Sequence, residues 1–401
     1  MTHRIYYTDA YAREFEATVV DASPHDGRPA AVLDRTAFYP TSGGQPSDAG
    51  TLGDAAVIDV IDREDGAVVH VLDREVSPGG AVTGRIDWDR RFDHMQQHTG
   101  QHVLSAAFEK VLAARTVSFH LGTERSTIDL SRDLAAAELA RVEREANRIV
   151  WENRPVTVRF ASDEEAAALP LRKEPKRTGK LRIVEVEGYD MSACGGTHVA
   201  RSGSIGLIAV SGSEKYKGGV RIEFVCGGRA LRAFGAMRDA LAGSIRQLSV
   251  LPSELPDAIA RLQSEARDQQ RAIRGLQEKL AGFEAGGCVD RAARLGRWRV
   301  VVETVEWDAG GLKALASAAA ATPDVVAAFF NPAGGLVAIA RGADVAFDAG
   351  AAVKALTAQF GGRGGGRPEL AQAGGLDGAP GAVLEAARQL IAAAAGSTQP
   401  S

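Results

Sequence analysis

The chain has 401 residues, 45% of them hydrophobic, and a formal net charge of −4. That length allows roughly two to four domains, each able to bury a core, and the charge excludes attraction to nucleic acid through overall basicity, so any such contact must come from local patches. Three scattered cysteines, Cys194, Cys226 and Cys288, exclude a disulfide framework and suit a reducing, cytoplasmic compartment. The opening MTHRIYYTDA lacks the pattern of a signal peptide, and no apolar run is long enough to span a bilayer.

Residues 1–88 read as short strands, with β-branched runs over 17–21, 55–60 and 68–72. Turn clusters SPHDG, TSGGQPSDAG and SPGG separate them, which predicts a small β-barrel. Near Trp88 the character changes. RRFDHMQQHTGQHVLSAAFEKVLAA places Val103, Ala107 and Val111 on one helical face, and a helix is predicted over 89–114. VSFHLG and STIDLS alternate as strands, 135–152 reads as an amphipathic helix, and LRIVEVEG, SIGLIAVSG and GVRIEFVCG are three more strands. Residues 251–283 read as a long, exposed helix. From Trp298 the sequence alternates again: RVVVETVEW, a helix over 312–321, DVVAAFFN, GGLVAIAR, a glycine-rich loop and a last helix. The tail after Ala395 reads as frayed.

All eight histidines lie at or before His198, which places acid–base or metal chemistry in the first half. His98 and His102 are four apart on the predicted helix, so their imidazoles share a face, with His94 one turn earlier. Cys194 and His198 form a second pair in CGGTH, where glycines let both side chains turn inwards. Together the two pairs supply three nitrogens and one sulfur, a set suited to zinc. Each pair alone also fits a hydrogen-bonded helix face or a core cysteine. HTGQH lacks the glutamate of HExxH, so it carries no zincin general base. Arg172, Lys173, Lys176, Arg177, Lys180 and Arg182 crowd a segment with Pro170, Pro175 and Gly179, which reads as a basic loop able to contact RNA phosphate; Lys215 and Lys217 add to it from a hairpin turn. Arg363 and Arg367 in the glycine-rich segment also suit phosphate.

RFDHMQQHTGQHVL, VSFHLGTERSTIDL and GYDMSACGGTHV together resemble the editing domain of alanyl-tRNA synthetase and its free-standing relatives. FYPTSGGQPSDAG is similar to the barrel segment before that domain, and GGRGGGRPELAQAGG to the glycine signature of the synthetase's C-terminal domain. The resemblance is closest to the long, free-standing type of alanyl-tRNA editing protein. It implies an α+β multidomain chain: a β-barrel domain over 1–88, an α+β zinc-binding editing domain over 89–245, a helical linker over 250–285, and a C-terminal α/β glycine-rich domain over 286–401 that binds tRNA or dimerises.

The activity it implies is zinc-dependent trans-editing: hydrolysis of mischarged tRNA(Ala), chiefly seryl-tRNA(Ala), with glycyl-tRNA(Ala) second. His98, His102, Cys194 and His198 match the family's ligands for one zinc per chain. Thr99 matches a residue that recognises a serine hydroxyl, although it also suits a helix residue bonding back to its own turn. His120 is expected in the pocket, where it suits a proton shuttle or a simple strand histidine. Backbone N–H groups of Gly195 and Gly196 suit an oxyanion, and Asp190 and Gln45 also match the family. An aminoacyl-tRNA deacylase of this kind is needed because a pocket for alanine cannot strongly exclude serine. The same residues also allow a zinc-stabilised RNA-binding protein without catalysis, or a metallohydrolase of a small ester.

Overall fold

The computed structural model describes residues 1–173 and 179–396, so Lys176 and Arg177 and the end of the tail lie outside the described residues. The chain is an α+β multidomain protein that divides into two compact units, Met1–Gly243 and Ser244–Ser401.

The first unit opens with a closed barrel of six strands: β1 (Glu14–Asp21), β2 (Ala30–Leu33), β3 (Gly50–Leu52), β4 (Ala55–Asp62), β5 (Val68–Leu72) and β6 (Ala81–Ile86), in the order β1-β2-β5-β4-β3-β6. The alternation in EFEATVVD explains the first strand. Phe15, Ala17 and Val19 point into the barrel, while Glu14, Glu16 and Thr18 face water. Leu33, Phe38, Leu52, Val60 and Leu72 complete this core.

Helix α1 (Trp88–Leu112) starts on Asp87, whose carboxylate accepts the Arg90 N–H, and stops at Ala113 in the left-handed conformation. It is buried almost continuously from His94 to Phe108. Beyond it come β7 (Thr116–Leu121), β8 (Ser126–Leu130), α2 (Ala136–Trp151), β9 (Val156–Ala161), β10 (Leu181–Val186), β11 (Asp190–Ala193), β12 (Ile208–Tyr216) and β13 (Gly219–Cys226). They form an antiparallel sheet in the order β12-β13-β8-β7 and a second in the order β9-β10-β11. Met95, Val103 and Phe108 of α1 share one core with Ile128, Ile149, Ile222 and Phe224; each such side chain contributes roughly 1.5–3 kcal/mol by burial. The barrel is joined to α1 by a buried ion pair. Arg91 Nε donates to Asp48 Oδ1 at 3.0 Å, and the same guanidinium donates to the Ala10 and Ala37 carbonyls. β9 and β11 were not anticipated from the sequence. Helix α3 (Gly228–Leu248), also unanticipated, carries the chain across the unit boundary.

In the second unit, α4 (Leu255–Asp290) extends past the predicted end at 283, and its last turns bury Ala281, Ala285, Cys288 and Val289. β14 (Ala293–Leu295), β15 (Trp298–Thr304), α5 (Ala309–Ala319), β16 (Val325–Asn331), β17 (Leu336–Arg341), α6 (Ala349–Phe360), β18 (Arg363–Arg367), β19 (Leu370–Gly374) and α7 (Pro380–Gly396) follow. The sheet order is β14-β15-β16-β17-β19-β18, with β15 and β16 parallel across the α5 crossover and the other pairs antiparallel. The predicted glycine-rich loop is instead the β18–β19 hairpin. A Cβ at Gly364 or Gly366 would lie 2.3–2.6 Å from Ala373 or Ala371, so these glycines permit close strand approach inside a ladder. Among the described residues, no helix is long and apolar enough to cross a membrane.

Candidate metal centre

Four ligand atoms from two distant stretches of chain meet in the first unit. His98 and His102 come from α1; Cys194 and His198 come from the loop after β11. Their ligand atoms all lie within 4.8 Å of one another. Cys194 Sγ is 3.3 Å from both His98 Nε2 and His198 Nε2. Such spacings fit donors set around one small cation with bonds of about 2.0–2.3 Å.

Each imidazole is aimed by a partner on its other nitrogen, the arrangement that fixes tautomer and ring orientation in metal sites. His98 Nδ1 donates to Gln45 Oε1 at 2.8 Å. His102 Nδ1 donates to Asp190 Oδ2 at 2.9 Å. His198 Nδ1 is 3.2 Å from Thr99 Oγ1. Gln45 is a barrel residue, and it also holds the CGGTH loop: its Oε1 accepts the Thr197 N–H at 3.2 Å and its Nε2 donates to Thr197 Oγ1 at 2.8 Å. The barrel therefore supplies part of the frame for the cluster. Asp190, at the start of β11, also receives Arg172 Nε at 2.5 Å and Ser192 Oγ at 3.1 Å.

Burial works against the Asp190 carboxylate, but hydrogen bonding and charge from His102, with Arg172 beside it, hold it down to about 2. Burial likewise disfavours the His102 imidazolium, yet Asp190 and the Cys194 sulfur lift it to about 9. Burial pushes His198 down to about 3. Cys194 lies well below the ordinary thiol range: burial opposes this, and the His98 and His198 imidazoles overcome it. A thiolate facing three Nε2 atoms is the chemical state a soft or borderline cation requires.

A cavity of about 610 Å³ opens beside the cluster, with Cys194 and Gly195 in its wall. Tyr7, Phe119 and Phe160 give it aromatic surface, and Arg172, Lys173 and Lys180 give it positive charge. Lys173 Nζ donates to the Val117 carbonyl at 3.3 Å, and Lys180 Nζ sits 5.0 Å from the Phe160 ring centroid. Two polar atoms on residues of this wall, Tyr6 Oη and Gln101 Oε1, are buried with no hydrogen-bond partner.

Several expected residues sit elsewhere or are otherwise engaged. His120 pairs with Thr127 and is exposed; strand alternation turns the neighbouring Phe119 towards His98 instead, ring centroids 6.0 Å apart. Thr99 does not line the cavity. Its hydroxyl donates to Met95 O at 2.9 Å, accepts the Val199 N–H at 3.1 Å and supports His198, so its bonding capacity is filled. Gly195 and Gly196 both line the cavity, and the Gly196 N–H donates to Cys194 Sγ at 3.4 Å. Arg182 is no part of a basic loop: it is buried on β10 and donates to the carbonyls of Tyr7, Cys194 and Gly196. His94 is buried outside the cluster, its imidazole pushed down by burial to about 4. Lys215 and Lys217 are exposed at the β12–β13 turn and do not line the cavity. Arg363 and Arg367 are exposed on edge strand β18 of the second unit. Gln101 was missed; its i,i+3 spacing from His98 is the one signal the sequence carries, and Thr99 stands in the same relation to His102.

Comparison with known proteins now bears on this geometry. The model for the threonyl and alanyl tRNA synthetase second additional domain matches residues 181–223, the segment holding Asp190, Cys194 and His198. The DHHA1 domain matches residues 298–396, and the class II (A) tRNA synthetase model matches residues 10–90. The alanine–tRNA ligase of Methanothrix thermoacetophila is 35% identical over 392 residues, covering 93% of this chain. The chain is a homologue of alanine–tRNA ligases. The ligase of Pyrococcus abyssi is 33% identical over 385 residues, 92% of this chain, and that of Natronomonas pharaonis 35% over 395 residues, 94% of it. The chain spans only 42% of the length of each of these relatives. The solved C-Ala domain of Aquifex aeolicus alanyl-tRNA synthetase aligns with 25% of this chain and 97% of its own, at 18% identity and a TM-score of 0.23.

Proposed function

We propose that this synthetase-related chain hydrolyses the ester of mischarged tRNA(Ala), chiefly seryl-tRNA(Ala) with glycyl-tRNA(Ala) second, at a site built around one zinc ion per chain. The observation that carries the reading is the cluster of three imidazoles and a thiolate beside a cavity that Cys194 lines together with Arg172, Lys173 and Lys180. Soft and borderline donors in a four-atom set suit zinc rather than a hard cation. When bound, zinc would be held by His98, His102, Cys194 and His198 and would supply Lewis acidity to a carbonyl or water.

The chain's own residues do the remaining work. Gln45 and Asp190 hold His98 and His102 in the tautomers that present Nε2. Arg182 ties down the Cys194 and Gly196 carbonyls and so sets the path of the loop. Gly195 presents backbone to the cavity as the candidate oxyanion donor. Lys173 and Lys180, with Arg172 behind them, suit the phosphates of a tRNA acceptor end. Arg363 and Arg367, exposed on their strand, suit a second phosphate contact.

The test incubates the full chain with seryl-, glycyl- and alanyl-tRNA(Ala), with and without a chelator, alongside metal analysis. Release of serine and glycine, sparing of alanine, loss with chelator and about one zinc per chain are expected. Turnover of none of the three substrates by zinc-loaded protein overturns the reading.

A further inference from the structure

Gln101 lies one residue before the ligand His102 on α1 and forms part of the cavity wall that also holds Cys194. Its side chain is held in a fixed pose. Nε2 donates to Ser105 Oγ at 2.8 Å, and Thr116 Oγ1 donates to the same Ser105 oxygen at 2.8 Å, fastening the helix to β7. Oε1 is buried and has no partner. A buried carbonyl oxygen left unpaired is costly unless a ligand supplies the missing donor.

The carboxylates nearby are engaged; Tyr6 Oη, the second unpaired atom of this wall, is a phenol that can also donate and lies outside α1. Asp62 in the same wall is held by both arms of Arg4, and Asp190 is shared by His102 and Arg172. Thr99, the residue expected to read a hydroxyl, has its own hydroxyl filled and faces away from the cavity. Gln101 is thus a preformed acceptor beside the metal cluster, waiting for one O–H or N–H.

We propose that Gln101 is the specificity-determining residue of this site: its Oε1 accepts the side-chain hydroxyl of a seryl group whose ester end lies at Cys194 and Gly195. The assignment rests on the editing reading above and deepens it. Alanine or glycine in the same place leaves Oε1 unpaired, so this atom favours serine over both and ranks glycyl-tRNA(Ala) behind seryl-tRNA(Ala). A neutral amide suits a neutral hydroxyl, whereas the α-ammonium common to all aminoacyl esters would be read identically in serine, glycine and alanine.

The experiment uses the zinc-loaded full chain and two tRNA(Ala) acceptor-stem minihelices. One ends in amide-linked 3′-serylamino-3′-deoxyadenosine, the other in its alanyl counterpart, so neither can be hydrolysed. Calorimetry gives the two Kd values for the wild type and Gln101→Leu, with zinc content and Tm recorded for both. Wild type is expected to bind the seryl probe on the order of tenfold more tightly, and Gln101→Leu to bring the ratio near one with alanyl binding unchanged. A ratio unaltered by Gln101→Leu, or equal weakening of both probes, overturns the assignment; equal weakening would mean that the amide reads the ammonium or merely shapes the cavity. Should Gln101→Leu not fold, Gln101→Met, of similar reach, is read in the same way. Turnover of seryl-tRNA(Ala) is scored separately. A Gln101-dependent ratio without turnover removes the hydrolase reading and keeps the assignment. Turnover with a ratio indifferent to Gln101 does the reverse.

Discussion

The neighbouring glycines of CGGTH allow a matched test of the metal centre. A Cβ placed on Gly196 would lie 2.1 Å from His98 Cε1, 2.3 Å from His98 Nδ1 and 3.0 Å from Gln45 Oε1. Carbon atoms in ordinary contact are about 3.5–4.0 Å apart, so the imidazole must retreat by roughly 1.4 Å to admit the methyl group. The tolerance of a metal–nitrogen bond is about 0.2 Å, so the displacement is several times what the bond allows. The ring also cannot swing freely, because Nδ1 is fixed on Gln45. A Cβ on Gly195 meets nothing nearer than Tyr7 Oη at 4.0 Å. Gly196→Ala is therefore expected to behave as the loss of one ligand, weakening zinc binding by more than the roughly 10–100-fold that removal of an outer partner costs. Gly195→Ala is expected to stay within about threefold of wild type on the same steric ground. Competition titration against a chromophoric chelator measures both affinities, and thermal melts establish that each variant is folded. Near-native zinc affinity in Gly196→Ala would show that the close packing of loop on imidazole is not what holds His98. Equal loss in both variants would point to backbone flexibility rather than collision.

Two further outcomes are expected. Asp190→Asn keeps the size of the side chain but removes the charge that faces His102 and Arg172; zinc affinity should fall by about 10–100-fold in chelator competition, and an unchanged affinity would strip Asp190 of its positioning role. In the barrel, the buried His70 donates Nδ1–H to the Ala31 carbonyl at 3.0 Å and meets Thr36 Oγ1 at Nε2, 2.8 Å away, and burial pushes its imidazole down to about 4. A folded pKa below the unfolded value near 6.5 means that the contribution is complete above pH 6.5 and is lost as the pH falls towards 4, on the order of 3 kcal/mol over the whole window. Urea denaturation between pH 7 and 4 should show a steeper decline for wild type than for His70→Gln, and parallel profiles would contradict the assignment.

The sequence made some of this molecule legible and hid the rest for identifiable reasons. The α1 helix and the strands over 181–186 and 219–226 were readable because apolar spacing and β-branched runs are strong signals, whereas the strand read over 204–212 runs instead from Ile208 to Tyr216, into the polar EKY read as a turn. The four candidate ligands were readable from histidine and cysteine spacing. The β18–β19 hairpin was not, because RGGGR reads as loop and only the crowding of Gly364 and Gly366 against Ala373 and Ala371 explains those glycines in a strand. Arg182 read as one more charge in a basic run, yet LRIVEV forms a strand, and the carbonyls that it holds belong to the CGGTH loop and to Tyr7, which is 175 residues away.

Thr99 and Gln101 are the instructive pair, because helix geometry alone does not rank them. At roughly 100° per residue, His102 lies about 40° round the helix from His98 in one direction and Gln101 about 60° in the other. Thr99 lies about 100° from His98 and about 60° beyond His102, so it and Gln101 flank the ligand pair symmetrically, each about 80° from its midpoint. The fold breaks the tie: Gln101 reaches the cavity, and Thr99 turns into the helix and the CGGTH loop, where it bonds to Met95, Val199 and His198. What the wheel cannot supply is which polar atoms are already satisfied. That depends on Ser105 and Thr116 taking up one end of the Gln101 amide and leaving the other end without a partner. Sequence spacing thus leaves Thr99 and Gln101 level beside the ligands, and hydrogen-bond saturation, which only the folded chain defines, selects the atom of the proposed contact.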